Sequence, residues 1–116
     1  MSAKDVVIIN QTKNLVVCIK PCGISSEYTE GEPNAVSELE RLTGCKTVKT
    51  LHRLDVGVGG VMVYAKNKDA AAKMSAIIAD GKLVKQYSAL VHGVPENKSG
   101  ALENILFKDG RANKVY

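Results

Sequence analysis

This chain contains no tryptophan, and aromatic residues make up only 4% of it. A core built on large aromatic side chains is therefore excluded, and valine, isoleucine, leucine and alanine have to fill it. Hydrophobic residues make up 45% of the sequence, which argues against a disordered chain. The 116 residues fit one domain or a part of one, with a small core.

Metal-ligand patterns and long apolar runs are also missing. Cys18, Cys22 and Cys45 contain no Cys-x-x-Cys pair, and His52 and His92 add no ligand spacing, so we expect no metal. The odd number of cysteines favours reduced thiols in a cytoplasmic protein. No signal peptide and no apolar run of the length of a membrane span are present, so we expect no membrane partner.

Positive charge is concentrated in the second part of the chain. Residues 1–45 carry four Lys/Arg and six Asp/Glu, a net −2, whereas residues 46–116 carry twelve and six, a net +6. A basic region of this kind fits a partner that bears phosphates, although many basic proteins bind no nucleic acid.

Hydrophobic periodicity predicts an alternation of strands and helices. The strands are expected at residues 5–9, 15–19, 46–50, 60–66 and 83–93, with a further strand or two begun in 101–116. Helices are expected over 33–43, ended by Gly44, and between a cap at Asn67 and a stop at Gly81. The order predicts an α/β (α+β) fold, with a mixed, largely antiparallel sheet and helices packed against it.

Each helix has a predicted apolar face. The face of the first comprises Ala35, Val36, Leu39 and Leu42, and that of the second comprises Ala70, Ala71, Met74, Ile77 and Ile78.

The segment Leu51-His52-Arg53-Leu54-Asp55 is the part of the chain that indicates a reaction. It places a carboxylate just before a predicted strand. An ordinary aspartate is ionised at neutral pH, so Asp55 can serve as a nucleophile, a general base or an electrostatic partner. Arg53 lies two residues away and would point to the same side of an extended segment. A surface pair between Arg53 and Asp55, or a loop-capping Asp55, remains the simpler alternative.

Three motifs together resemble the RluA-type RNA pseudouridine synthases. The first is His52–Asp55 followed by Gly60 and the run Val61–Lys66. Upstream, Leu15–Gly23 is similar to the strand of that family that ends in Lys-Pro-x-Gly. Downstream, Lys85–Gly93 is similar to its Lys-x-Tyr strand. The motifs follow the order and spacing of the family and cover roughly residues 14–115.

The resemblance implies a pseudouridine synthase-like fold and the isomerisation of uridine in structured RNA, ribosomal or transfer RNA. It implies that Asp55 is catalytic, that Arg53 contacts RNA near the extruded uridine, and that Tyr87 packs against the target base. His52 joins this RNA-binding group as a residue that shapes the catalytic loop, and its proximity to Asp55 leaves proton transfer as the alternative. Without the resemblance, Tyr87 would be expected in the core. The family uses no cofactor, so none is expected.

The chain departs from the family pattern at two places. Val58-Gly59 stands where the family usually has Thr-Ser, and the sequence stops before the last family motif, which supplies a basic partner for the aspartate. We therefore expect residues 1–116 to be the N-terminal portion of a catalytic domain. A non-catalytic RNA-binding fragment with the same fold is the alternative, and an enzyme that cleaves free nucleosides is a remote third. The RNA substrate and the oligomeric state stay open.

Overall fold

Four antiparallel strands form the main sheet. The structure is a computed structural model that describes residues 5–103, 105–106, 108–109 and 114–115. In chain order the strands are β1 (Val7–Gln11), β2 (Leu15–Lys20), β3 (Lys49–Thr50) and β4 (Gly60–Ala65), and their order in the sheet is β1-β2-β4-β3. β2 therefore pairs along its whole length with β4, from Leu15↔Ala65 to Lys20↔Gly60. This pairing brings Lys20, near the end of the Leu15–Gly23 motif, beside Gly60 of the motif that contains Asp55.

Two capped helices accompany the sheet, α1 (Ala35–Thr43) and α2 (Lys68–Ala79). The Asn34 side chain accepts a hydrogen bond from the Ser37 N–H, and Asn67 does the same for Ala70. Gly44 ends α1 with a φ of 73°, the left-handed conformation that favours glycine. The predicted helices and their end signals are therefore confirmed, with shorter bounds.

The core lies between α1 and one face of the sheet. Alternate residues of β2 and β4 are buried on this face, and the pairing places Val16 opposite Tyr64 and Cys18 opposite Met62. Ala35, Val36 and Leu39 of α1 complete the same cluster. Leu39 is fully buried, whereas Leu42 is 44% exposed, so the predicted α1 face is one residue narrower than expected.

Several predicted elements differ from the structure. In α2 only Ala70 is buried, and Ile77 is 42% exposed, so most of the predicted stripe is not core. The strand expected at 46–50 contains only two residues. Before β3, Thr47 Oγ1 and Cys45 Sγ donate to the Lys66 carbonyl at 2.9 and 3.2 Å. Side-chain hydrogen bonds therefore link this segment to the residue after β4 where backbone pairing was expected.

The chain divides into two compact units, Met1–Lys85 and Gln86–Tyr116. In the second unit, β5 (Lys108–Asp109) pairs antiparallel with β6 (Lys114–Val115), in the region where a further strand or two was expected. The strand predicted at 83–93 is wrong, because no described residue pairs with this segment. The predicted class, a mixed and largely antiparallel α/β fold, is confirmed. Neither helix of the described residues has the length and apolar character that a bilayer crossing requires.

Candidate active site

The segment that carries Asp55 is held by Ser26, which lies 28 residues earlier in the chain. The Ser26 hydroxyl donates to the Leu54 carbonyl at 2.9 Å and accepts from the Leu54 N–H at 3.2 Å. The Ser26 carbonyl in turn accepts a 2.6 Å hydrogen bond from the buried Tyr64 hydroxyl. Both backbone groups of the residue before Asp55 are thus tied to a buried serine that is itself tied to β4.

Two backbone hydrogen bonds fix the residues after Leu54. The Val58 N–H donates to the Asp55 carbonyl at 2.9 Å and closes a tight turn. The Gly23 N–H donates to the Val56 carbonyl at 2.7 Å, which ties this turn to the Lys-Pro-Cys-Gly turn at the end of β2. The backbone around Asp55 is therefore anchored on both sides.

The Asp55 side chain is exposed, and among the described residues no hydrogen bond or ion pair holds its carboxylate. A surface pair between Arg53 and Asp55, which the spacing left open, is not formed. The backbone of this residue is therefore anchored, and its carboxylate is accessible from solvent.

Arg53 lies beside a different carboxylate. Its Nη1 is 4.0 Å from Glu27 Oε1, and the two side chains are 70% and 51% exposed. An exposed pair at this distance contributes little to stability. The Arg53 guanidinium can therefore exchange Glu27 for a phosphate at small cost.

His52 completes the edge of β4. Its Nε2 accepts a 3.2 Å hydrogen bond from the Val63 N–H, next to the point where the short β3 stops pairing. This bond requires an unprotonated Nε2. Burial lowers the pKa of His52, and the positive charge of Lys85 acts in the same direction. His52 thus takes the place of a strand partner of Val63, just before Arg53, and its role in shaping the loop stays a prediction.

A buried lysine that the sequence analysis did not single out lies behind the site. Lys20 is the third buried residue in the alternation of β2, and its Nζ donates to the Pro21 and Ile24 carbonyls at 2.9 Å each. Burial lowers the pKa of Lys20, while electrostatic interactions with the nearby Cys22 and Asp55 side chains act against this shift. The sequence could have indicated this residue, because Lys20 falls on the predicted buried face of an otherwise apolar strand.

Tyr87 belongs to the second unit and is 64% exposed, so the core position favoured by the strand pattern is wrong. Asp55, Arg53 and His52 all belong to the first unit. Within the described parts of the chain, no three His, Cys, Asp or Glu side chains are grouped as metal ligands would be.

Comparisons with known proteins agree with this architecture. The family model for RNA pseudouridylate synthase matches residues 14–116, and the chain belongs to this family. A solved structure of human RNA Pseudouridylate Synthase Domain Containing 4 is 32% identical in sequence and superposes with a TM-score of 0.53. The match covers 64% of this chain and 30% of the human chain.

Two curated relatives extend the comparison. An uncharacterized RNA pseudouridine synthase of Aquifex aeolicus is 33% identical over 105 residues, which cover 83% of this chain and 33% of that protein. The ribosomal large subunit pseudouridine synthase C of Buchnera aphidicola is 29% identical over 109 residues, which cover 92% of this chain and 35% of that protein. The chain thus spans about a third of the length of these relatives.

Proposed function

We propose that this protein converts uridine in structured RNA to pseudouridine and that Asp55 is its catalytic carboxylate. The observation that carries the proposal is the free, exposed Asp55 side chain on a backbone that Ser26, Gly23 and Val58 hold in place. Membership in the RNA pseudouridylate synthase family supports it. Since the chain spans about a third of the length of these relatives, residues 1–116 are proposed to be a part of the catalytic domain.

The reaction is an isomerisation. The bond between N1 of uracil and C1′ of ribose breaks, the base turns, and a bond forms between C5 and C1′. C5 loses a proton and N1 gains one, so no atoms or electrons enter or leave. A carboxylate such as that of Asp55 can serve as a nucleophile or as a base in such a reaction, and both roles require that the substrate can reach it.

Arg53 and Tyr87 are proposed to serve the extruded uridine. A base inside folded RNA has to leave its stack, at a cost of a few kcal/mol. Arg53 would leave its exposed contact with Glu27 to meet a backbone phosphate. Tyr87, whose ring is exposed, would stack on the target base. His52 would hold the loop in shape through the edge of β4.

The RNA is proposed to be ribosomal or transfer RNA. Among these relatives, the Buchnera protein is named for the large ribosomal subunit. The net charge of +6 over residues 46–116 supports contact with a phosphate backbone of either RNA.

A second candidate function is RNA binding without catalysis. It is favoured by one observation: Tyr87 and all other residues of 86–103 and 105–106 are exposed, so these described residues offer a surface and form no core among themselves. Such a module would bind RNA with strong salt dependence, and Asp55→Asn would leave its affinity unchanged.

Nucleoside mass analysis of unmodified RNA, after incubation with the protein, distinguishes the two candidates. We expect pseudouridine from the wild type, and a loss on the order of 1,000-fold or more in rate for Asp55→Asn. Asp80→Asn is the matched control, because Asp80 is an exposed aspartate that forms a surface ion pair with Lys82; its rate should equal that of the wild type.

Equal rates for wild type and Asp55→Asn would overturn the role of Asp55. Salt-dependent RNA binding without any pseudouridine would favour the non-catalytic module instead.

A further inference from the structure

Three separate segments of the first unit meet at the end of the sheet where β4 stops. The Lys66 N–H, directly after β4, donates to the Asn14 carbonyl in the turn between β1 and β2 at 2.8 Å. The Asn67 side chain donates to the side-chain oxygen of Asn14 at 3.0 Å. The Lys66 carbonyl accepts the hydrogen bonds from Thr47 and Cys45. These bonds join residues 11–15, 45–49 and 65–69.

The three joined segments are strongly basic. They contain five lysines and a single acidic residue, Asp69, so their net charge is +4, equal to the formal net charge of the whole chain. We call these lysines the lysine cluster: Lys13, Lys46, Lys49, Lys66 and Lys68. Because the cluster is assembled from three distant parts of the chain, no run of charge in the sequence predicts it.

The positive charge of the lysine cluster is not compensated by carboxylates. Among the described residues, no ion pair contains a lysine of the cluster. The Lys66 Nζ donates instead to two neutral acceptors, the Gln11 side-chain oxygen at 3.2 Å and the Thr12 carbonyl at 3.1 Å. Lys13 and Lys46 are exposed, as is Lys68. Exposed like charges brought together in this way repel one another and are stabilised by a bound polyanion.

The lysine cluster and Asp55 lie at opposite ends of the same pair of strands. The Asp55 loop is bonded to the turn after β2, next to the pair Lys20↔Gly60. The cluster surrounds the other end of the ladder, beside the pair Leu15↔Ala65. Each of the two strands has six residues. At about 3.3 Å per residue, the two ends are on the order of 20 Å apart. A single nucleoside is much shorter than this, so only a polynucleotide can reach both.

We propose that the lysine cluster is a second RNA contact of this protein, a surface that binds the phosphate backbone of the RNA whose uridine lies at Asp55. The proposal rests on the proposed function, because it takes RNA as the polyanion. Lysine ammonium groups bind phosphates as point charges and do not read bases. The cluster therefore adds affinity and orientation for a folded RNA, without a preference for sequence.

The salt dependence of RNA binding tests the proposal. Lys13→Gln/Lys46→Gln removes two charges of the cluster and leaves Lys66, which holds the β1–β2 turn. The matched control is Lys73→Gln/Lys82→Gln, which removes the same charge from exposed positions outside the three segments. Binding of an unmodified transfer RNA transcript is followed by fluorescence anisotropy over a range of salt concentrations. The slope of log K against log salt should become shallower by about two in the cluster variant and stay close to the wild-type slope in the control.

Stability and kinetics separate RNA contact from a structural role. Urea midpoints of both double variants should equal that of the wild type, because all four lysines are exposed. In pseudouridine formation, the cluster variant should raise KM for RNA on the order of tenfold at low salt. Its kcat should stay unchanged, because the cluster lies far from Asp55. The control variant should keep both parameters.

The outcomes distinguish this proposal from the proposed function. A wild type that binds RNA with the expected slopes but forms no pseudouridine would defeat the proposed function and leave the RNA surface standing. Equal salt slopes for the two double variants would overturn the lysine cluster as an RNA contact. Vesicles of phosphatidylserine are the second probe. If the cluster variant lost binding to these vesicles while RNA binding stayed at the wild-type level, the surface would belong to anionic lipid and the proposal would be wrong.

Discussion

The two units of the chain use their apolar side chains in opposite ways. In the first unit Val16, Leu39 and Tyr64 are completely buried. In the second, Leu90 and Ile105 are as exposed as in an extended chain, at 102% and 100%. Both units contain β-branched and leucine-rich runs, so composition does not explain the difference. What differs is the presence of a facing element, since a strand or helix is buried only where another element covers it.

This contrast also separates the proposed site residues. Asp55, Arg53 and His52 lie on the unit that has its own core, and three hydrogen-bonded anchors hold their loop. Tyr87 lies on the unit whose apolar side chains are exposed. The first unit therefore provides a carboxylate on an anchored backbone. The proposed stacking residue Tyr87 has no comparable support among the described residues.

The largest expected effect comes from the core of the first unit. Leu39→Ala should lower the free energy of unfolding by about 2–5 kcal/mol, because it removes a fully buried side chain and leaves a cavity. Leu90→Ala is the matched control in the second unit and should change it by less than about 0.5 kcal/mol. Urea denaturation followed by circular dichroism measures both. Similar losses for the two variants would remove the distinction between the units.

An intermediate effect is expected at the anchor of the Asp55 loop. Ser26→Ala removes both hydrogen bonds to Leu54, and should cost about 1–3 kcal/mol because backbone groups are left without a partner. Ser99→Ala, at an exposed position of the second unit, should have almost no effect. The measurement is again urea denaturation. A Ser26→Ala variant as stable as Ser99→Ala would mean that the two hydrogen bonds between Ser26 and Leu54 contribute nothing to the free energy of unfolding.

The smallest effect should appear as a pH dependence at His52. Its pKa is lowered in the folded state, so the unfolded chain binds the proton more readily. The stability that neutral His52 contributes is complete above its ordinary pKa of 6.5, and is lost as the pH falls from there through the lowered value. His52→Gln should flatten this part of the profile.

Urea midpoints between pH 7.5 and pH 5, in roughly half-unit steps around the ordinary histidine pKa, test this expectation. His92→Gln is the control, because His92 is exposed in the second unit. A profile of His52→Gln that parallels that of the wild type would contradict the hydrogen bond from Val63.

The sequence correctly predicted the features that depend on neighbouring residues, namely the helix caps and the apolar strands. Asn67 begins one helix and Gly44 ends the other where expected, and the apolar runs at residues 15–20 and 60–65 form the central pair of strands. The strand predicted at 83–93 failed because alternation says which side chains share a face, but not whether another strand is present to pair with them. Propensity carries no information about the partner.

The site was predictable only in part for a similar reason. The motif resemblance named Asp55, Arg53, His52 and Tyr87 from residue identity. Nothing in the local sequence pointed to Ser26, whose role depends on a hydrogen bond across 28 residues. Lys20 gave a weak signal, since a charged residue on the buried face of a strand requires partners that the sequence does not reveal.

The pair of hydrogen bonds between Ser26 and Leu54 also implies an order of events in folding. The groups of Gly23, Ser26 and Lys20 that hold the Asp55 loop all precede it in the chain, but they come near it only when β2 pairs with β4 across the intervening helix. Bringing β2 and β4 together costs the conformational entropy of the long segment between them before the long-range contacts stabilise it. We therefore expect the Asp55 loop to take its shape late in folding, together with the sheet. During synthesis, Gly23 and Ser26 could not bind the Asp55 loop before β4 had been made up to Ala65. A short peptide with the sequence Leu51–Asp55 would contain the motif without its geometry.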